Sequence, residues 1–211
     1  MSSTSADLEA VLDTAADLVV HDGFDAVSFR AIANRLDVHE SGLSRMFASL
    51  DELLVAMLNR EYGSMYRVIL DNVDRDPLGG LVSRIYRYTL SAVYERPLAQ
   101  ALYLTDRDGL NSLMRTSHSF SYVPNVGVRA GYVERMKRAG MVRPEVDAAM
   151  VSAVLSTFSA GLALAAPHSD LDLVVNGFCD MLARWVDEDV DETSAGKAAF
   201  FEYATSLAAG T

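Results

Sequence analysis

The residues whose types allow directional chemistry fall in two places. In the first fifty residues, Arg45 carries a guanidinium of the kind that reads guanine in bidentate fashion; the plain alternative is an exposed, solvated side chain. Further on, eight of the chain's 9 tyrosines lie between Tyr62 and Tyr132. With nearby methionines and phenylalanines they present apolar bodies with polar tips, the residue types that line small-molecule pockets between helices. The candidate pocket set is Met57, Tyr62, Met65, Tyr66, Tyr86, Tyr103, Met114, His118 and Phe158, with Arg115 as a further polar end. Each of these also reads as an ordinary core or surface residue, and the set shows no preference for ligand charge.

Catalysis finds little footing. The 4 histidines (His21, His39, His118, His168) include no pair at metal-ligand spacing. There is no glycine-rich phosphate loop and no G-x-S-x-G elbow. The chain is therefore expected to be no enzyme, with no catalytic residue, metal or cofactor. The single cysteine, Cys179, excludes an internal disulfide and reads as a small buried hydrophobe.

The elements that must position these residues are helical, so the expected class is all-α. Leu8, Val11, Leu12, Ala15, Leu18 and Val19 recur at helical spacing, and Gly23 stops that helix. Ser28 caps a short helix, Phe29 to Leu36; a turn at Asp37-Val38 leads to a second, about His39 to Phe47. Ser49 and Glu52 form a capping box ahead of a long helix that runs to Val68 and Ile69. The stretch Asp74 to Gly80 (DRDPLGG) breaks it. Helices follow at Leu81–Tyr94, Pro97–Leu104, Gly109–Thr116, Val126–Ala139, Val146–Ala165, Leu171–Val186 and Ala198–Ala208, with Ser117 to Asn125 as a loop. The acidic run Asp187 to Glu192 reads as a solvated turn.

Three short helices joined by tight turns and followed by a long one form a helix-turn-helix pattern. Phe24, Val27, Ile32, Ala33, Leu36, Val38, Leu43 and Phe47 would make its mini-core, and the second short helix would enter the major groove. The stretch GFDAVSFRAIANRLDVHESGLSRMFASLDELL, Gly23 to Leu54, resembles the DNA-binding signature of the TetR family of transcription regulators. That resemblance implies a DNA-binding domain over residues 1–50 and a ligand-sensing, dimerising domain over 51–211. It implies a regulator, of the repressor kind, that binds a palindromic double-stranded operator as a homodimer and is released by a small-molecule effector. It further implies that Ser28 caps its helix and touches a phosphate, and that Arg30 lies near the phosphate-facing start of that helix. His39, Glu40, Ser41, Gly42 and Arg45 would face the groove, and Ser44 the backbone.

The chain departs from the signature in ways that bear on DNA. Asp37 stands where the family has glycine in the turn, Ser44 where it has tyrosine, Leu50 where it has lysine, and Glu40 where a basic residue is common. Residues 1–50 hold three basic side chains against eight acidic ones, a balance of −5, within a net charge of −11. Because phosphate neutralisation supplies much of the affinity for DNA, such a head should bind weakly or selectively. The alternative is a TetR-like dimer with a degenerate acidic head that binds a ligand or partner and not DNA.

Small residues recur every fourth position in the uncharged helix (Ala149, Ala153, Thr157, Gly161, Ala165), which allows close helix approach. The next helix has an apolar face. The expected dimer interface is Ala153, Thr157, Gly161, Val174, Phe178, Leu182 and Trp185, with burial inside one chain as the alternative. The uncharged run is long enough to span a bilayer but holds Ser152, Ser156, Thr157 and Ser159 and lacks flanking basic or aromatic anchors. A buried helix accounts for it better, and no secretory signal opens the sequence, so a cytoplasmic protein without membrane contact is expected.

Overall fold

Helical periods and the breakers between them set the architecture. The computed structural model describes residues 7–101, 130–165 and 170–208. Its helices are α1 Leu8–Asp22, α2 Phe29–Leu36, α3 Glu40–Met46, α4 Leu50–Arg75, α5 Val82–Tyr94 and α6 Pro97–Gln100, and then α7 Ala130–Arg138, α8 Ala148–Ala165, α9 Leu171–Trp185 and α10 Ser194–Ala208. Among the described residues the only extended pairing is an isolated antiparallel bridge, Val142 to Asp187. The expected helix at Gly109–Thr116 and the loop after it lie outside the described residues.

The chain divides into two compact units, one from residues 1–63 and 96–120, the other from 64–95 and 121–211. In the first, α1 buries Val11, Leu12, Ala15, Leu18 and Val19 on one stripe. It stops where Gly23 takes a φ of 88°, which strains any other residue, and where the Gly23 N–H donates to the Val19 carbonyl. Val27, Ile32, Ala33, Leu43 and Phe47 are buried between the short helices. Phe24, Leu36 and Val38, expected in the same mini-core, are half-buried around it.

In the second unit α5 packs on α9, α7 on α8, and α10 on α7. The breaker between α4 and α5 is a close-packed corner. A Cβ on Gly80 would collide with the Thr193 carbonyl, and one on Gly196 with the Gly80 carbonyl. The Gly80 N–H donates to the Thr193 hydroxyl at 3.3 Å, which itself donates to the Pro77 carbonyl at 2.8 Å. These bonds explain why α10 begins at Ser194, earlier than the expected Ala198: Thr193 is held in place and the Glu192 carboxylate accepts from the Ser194 N–H and hydroxyl.

The acidic run differs from expectation in the same region. Asp187 is no solvated turn residue; it is buried, and its carboxylate accepts from the Ser83 amide and hydroxyl. Cys179 is buried. No helix among the described residues is long and apolar enough to cross a membrane.

Candidate nucleic-acid interface

The geometry of the two short helices starts at Ser28. Its extended backbone (φ −152°, ψ 158°) places the hydroxyl oxygen to accept from the Ala31 N–H at 3.1 Å. Accepting that bond leaves the hydroxyl proton available to an outside acceptor such as a phosphate oxygen. At the other end of α2, Asp37 adopts the left-handed conformation (φ 52°, ψ 46°), and the next N–H, of Val38, donates to the Ala33 carbonyl at 3.0 Å. It is the only non-glycine residue with positive φ among the described residues. Aspartate tolerates this region better than most side chains, so the turn survives without glycine.

α3 follows, with Leu43 fully buried and Phe47 nearly so. Those anchors leave His39, Glu40, Ser41, Ser44 and Arg45 exposed, with Gly42 half-buried. Helical geometry puts Ser41 and Arg45 on the face opposite Leu43. The Ser44 hydroxyl donates to the Glu40 carbonyl at 3.3 Å, a local bond that an acceptor on DNA would have to replace. His39 precedes α3 without capping it through its side chain. α4 opens on a variant capping box: Ser49 accepts from the Glu52 N–H at 3.2 Å, while the Glu52 carboxylate accepts from the Ala48 N–H at 2.6 Å.

Charge pairing sorts the arginines of this unit. Arg35 pairs with Asp22 at 2.8 Å, Arg60 with Glu9 at 2.8 Å and Asp13 at 2.7 Å, and Arg96 with Glu61 at 2.7 Å. Arg30 and Arg45 are exposed and stand in no ion pair with a described residue. The two arginines expected at the DNA are thus the two left open, while the paired ones offset part of the acid surplus.

The other expected sites are placed as follows. Met57 and Tyr62 are buried in the first unit; Met65 and Tyr86 are buried in the second, where Tyr66 and Phe158 are half-buried. Tyr103, Met114 and His118, with Arg115, lie outside the described residues. Tyr86 meets Phe158 and Phe178, whose rings stack at 3.6 Å and 7°. The Tyr86 hydroxyl donates to the Leu155 carbonyl at 3.1 Å and is 2.6 Å from the Ser159 hydroxyl, so it serves the packing of α5 on α8.

Of the expected interface residues, Ala153, Thr157 and Gly161 are exposed along one face of α8, and Val174 and Trp185 along α9. Leu182 instead points inward with Val175 and Cys179. Its neighbour Met181 is 61% exposed and Leu173 71%, with Met150 and Val154 beside the small residues of α8. Sequence missed Leu173 and Met181 because α9 is apolar on both faces, so periodicity alone does not say which one turns inward.

Residues 11–57 match the family model described as bacterial regulatory proteins, tetR family. Among solved structures, a gamma-butyrolactone receptor described as ArpA-like shares 14% identity at a TM-score of 0.57, over 96% of each chain. A ketosteroid transcriptional regulator of Mycobacterium tuberculosis shares 14% at 0.55, over 89% of this chain and all of that one. A TetR-family transcriptional regulator from Haemophilus influenzae shares 13% at 0.55, over 86% and 96%. At such identities the likeness is one of fold. A search of curated proteins finds no match.

Proposed function

We propose that this chain, which carries a TetR-family head on a TetR-like all-helical fold, is a transcription regulator that binds operator DNA as a homodimer. In this reading residues 1–50 read the operator, and residues 51–211 dimerise and take a small-molecule effector that releases the DNA. The observation that carries it is the open face of α3. Buried Leu43 and Phe47 hold the helix while Arg45 stands exposed and unpaired beside Ser41 and His39. A helix so anchored enters a major groove with its polar face toward the base edges. Arg45 reads a guanine, Ser41 and His39 add polar contacts, and Ser28 with Arg30 holds the phosphates that set the register.

Dimerisation rests on a second surface. Met150, Val154, Leu173, Val174, Met181 and Trp185 are large apolar side chains exposed on α8 and α9, which meet through the Phe158–Phe178 stack. A contiguous apolar face of this kind marks an interface. The small residues of α8 on the same side let a partner helix approach closely.

The test is fluorescence anisotropy with duplexes from upstream of the protein's own gene, at low and at physiological salt. One duplex should bind about three orders of magnitude or more tighter than random sequence at physiological salt. If no duplex binds better than random, the head does not read DNA and the ligand- or partner-binding alternative takes its place. The acidic surplus of the head is the feature that favours that second reading.

A further inference from the structure

α5 begins without a cap of its own. Its N-cap residue is Leu81, whose side chain has no acceptor to offer. The first N–H groups of a helix need acceptors from outside it. Here they come from far along the chain, 104 residues beyond Ser83. The Asp187 carboxylate accepts from the Ser83 N–H at 3.3 Å, from the Ser83 hydroxyl and from the Val82 N–H. The backbone of the same residue joins a third segment. Its carbonyl accepts from Arg143 Nε at 2.9 Å, and Val142 pairs with Asp187 in the isolated bridge. On either side, the Arg143 N–H donates to the Val186 carbonyl at 3.0 Å and the Glu188 N–H to the Met141 carbonyl at 3.1 Å. Asp187 thus ties the start of α5, the end of α9 and the segment between α7 and α8.

The carboxylate that does this is only 4% exposed and stands in no ion pair with a described residue. Burial opposes its charge; the Ser83 and Val82 donors and the nearby charge of Arg143 favour it. Tyr132 of α7 and Cys179 of α9 face it closely enough for its charge to oppose their own ionisation. The groove it lines also holds Arg84 and Arg87 of α5, Asp180 and Arg184 of α9, and Glu188 and Asp189 of its own segment. Arg84 is engaged by Asp76 and Arg87 by Asp180. Burial outweighs the donors and holds the Asp187 carboxyl up at about 6. The two described histidines, His21 and His39, lie in the first unit.

We propose that Asp187 makes this corner a pH-operated latch: its protonated carboxyl keeps the corner shut, and its ionisation lets the start of α5 part from the end of α9 and the α7–α8 segment. The bonds that part belong to a helix start, a helix end and a single bridge, elements that open below the free energy of global unfolding. Further along α5, buried Tyr86, Leu90 and Val93 keep the rest of the unit folded. In the open corner water reaches the carboxylate, which then titrates near 4. A group that holds its proton more tightly when closed favours the closed form at low pH. That preference is lost as pH rises through about 6. The latch lies within the second unit alone and does not depend on whether the head binds DNA.

Hydrogen exchange of the full chain, followed by NMR and corrected for intrinsic rates, tests it at the Ser83, Arg143 and Glu188 amides. Their opening constant should rise about tenfold between pH 5 and 8 and level off above about 7, for a carboxyl that titrates near 6 closed and near 4 open. Low urea should leave it unchanged, because little surface is exposed, whereas exchange at the buried Leu155 of α8 should quicken with urea. Asp187→Asn should flatten the pH dependence. Ser83→Ala, a smaller change, removes a donor that favours the ionised form, so its rise should level off at higher pH than in the wild type. Corner amides whose opening ignores pH, that share the urea dependence of Leu155, or whose pH profile is the same in Ser83→Ala would each overturn the latch.

Discussion

At the residue scale, two side chains carry separate predictions. Arg45 is exposed and in no ion pair with a described residue on the outer face of α3, so its proposed role at the DNA can be removed without disturbing the mini-core. Arg45→Ala should relax preference at one position per half-site, at about 1–3 kcal/mol. Ser28→Ala should weaken all sequences alike, since phosphate contacts set register and carry no sequence information. Binding to a panel of single-base operator variants separates the two; if Arg45→Ala lowered every affinity equally, the guanine-reading role would be lost. Asp187 bears on stability. Burial pushes its carboxyl up to about 6, against the Ser83 hydroxyl and the Ser83 and Val82 amides and the charge of Arg143, which favour the ionised form. In an unfolded chain the group titrates near 4. The folded state therefore holds the proton more tightly, and its stability falls as pH rises from about 4 through 6 and levels off above. A carboxyl held that far above its unfolded value costs the folded state about 3 kcal/mol across this range. Asp187→Asn should remove that slope from the melting temperature measured between about pH 4 and 7. Parallel curves for variant and wild type would show that the carboxyl does not govern it.

At the element scale, α8 offers a clean probe of assembly. A Cβ built on Gly161 meets no described residue within 4 Å, so the position is open to a larger side chain among the described residues of one protomer. If Gly161 sits at a close crossing with a partner helix, Gly161→Leu overpacks it and weakens the dimer by about 1–3 kcal/mol. Light scattering across a dilution series reads the shift toward monomer. A wild type that is monomeric throughout, or a variant that dissociates like the wild type, would remove α8 from the interface. The fate of Leu182 shows why packing was needed to define this surface. Two apolar stripes run along α9, and only the placement of α5 against it turned Val175, Cys179 and Leu182 inward and left Leu173, Val174, Met181 and Trp185 outside.

At the scale of the whole molecule, charge sets how DNA binding responds to salt. The net charge of −11 repels a polyanion at long range. Among the described residues of the first unit Arg35, Arg60 and Arg96 are committed to carboxylates, which leaves Arg30 and Arg45 in each head. In the proposed dimer these would neutralise roughly four phosphates, and at about −0.9 per contact the slope of log affinity against log salt should be near −4. Anisotropy titrations at several salt concentrations measure it. A slope as steep as that of proteins with six to ten phosphate contacts would mean that other basic side chains reach the DNA.

The sequence by itself determined what is local. Helical period, the Ser28 and Ser49 caps, the stop at Gly23 and the turn at Asp37 depend on a few consecutive residues and their backbone preferences, and each stands where those preferences put it. The exposed face of α3 was legible for the same reason, because Leu43 and Phe47 mark the inner face one turn apart. Only the tertiary structure decided which charges meet. Asp187 looked like one acid among several in a solvent-facing run until α5 brought Ser83 over it. Arg35 and Arg45 are the same residue type in neighbouring helices, yet α1 carries Asp22 to the first and nothing comparable to the second. Arg84, Arg87, Arg143 and Arg184 span a hundred residues of chain and share one groove because α5 packs on α9. Electrostatic neighbourhoods are set by distance in space, and no local pattern encodes them.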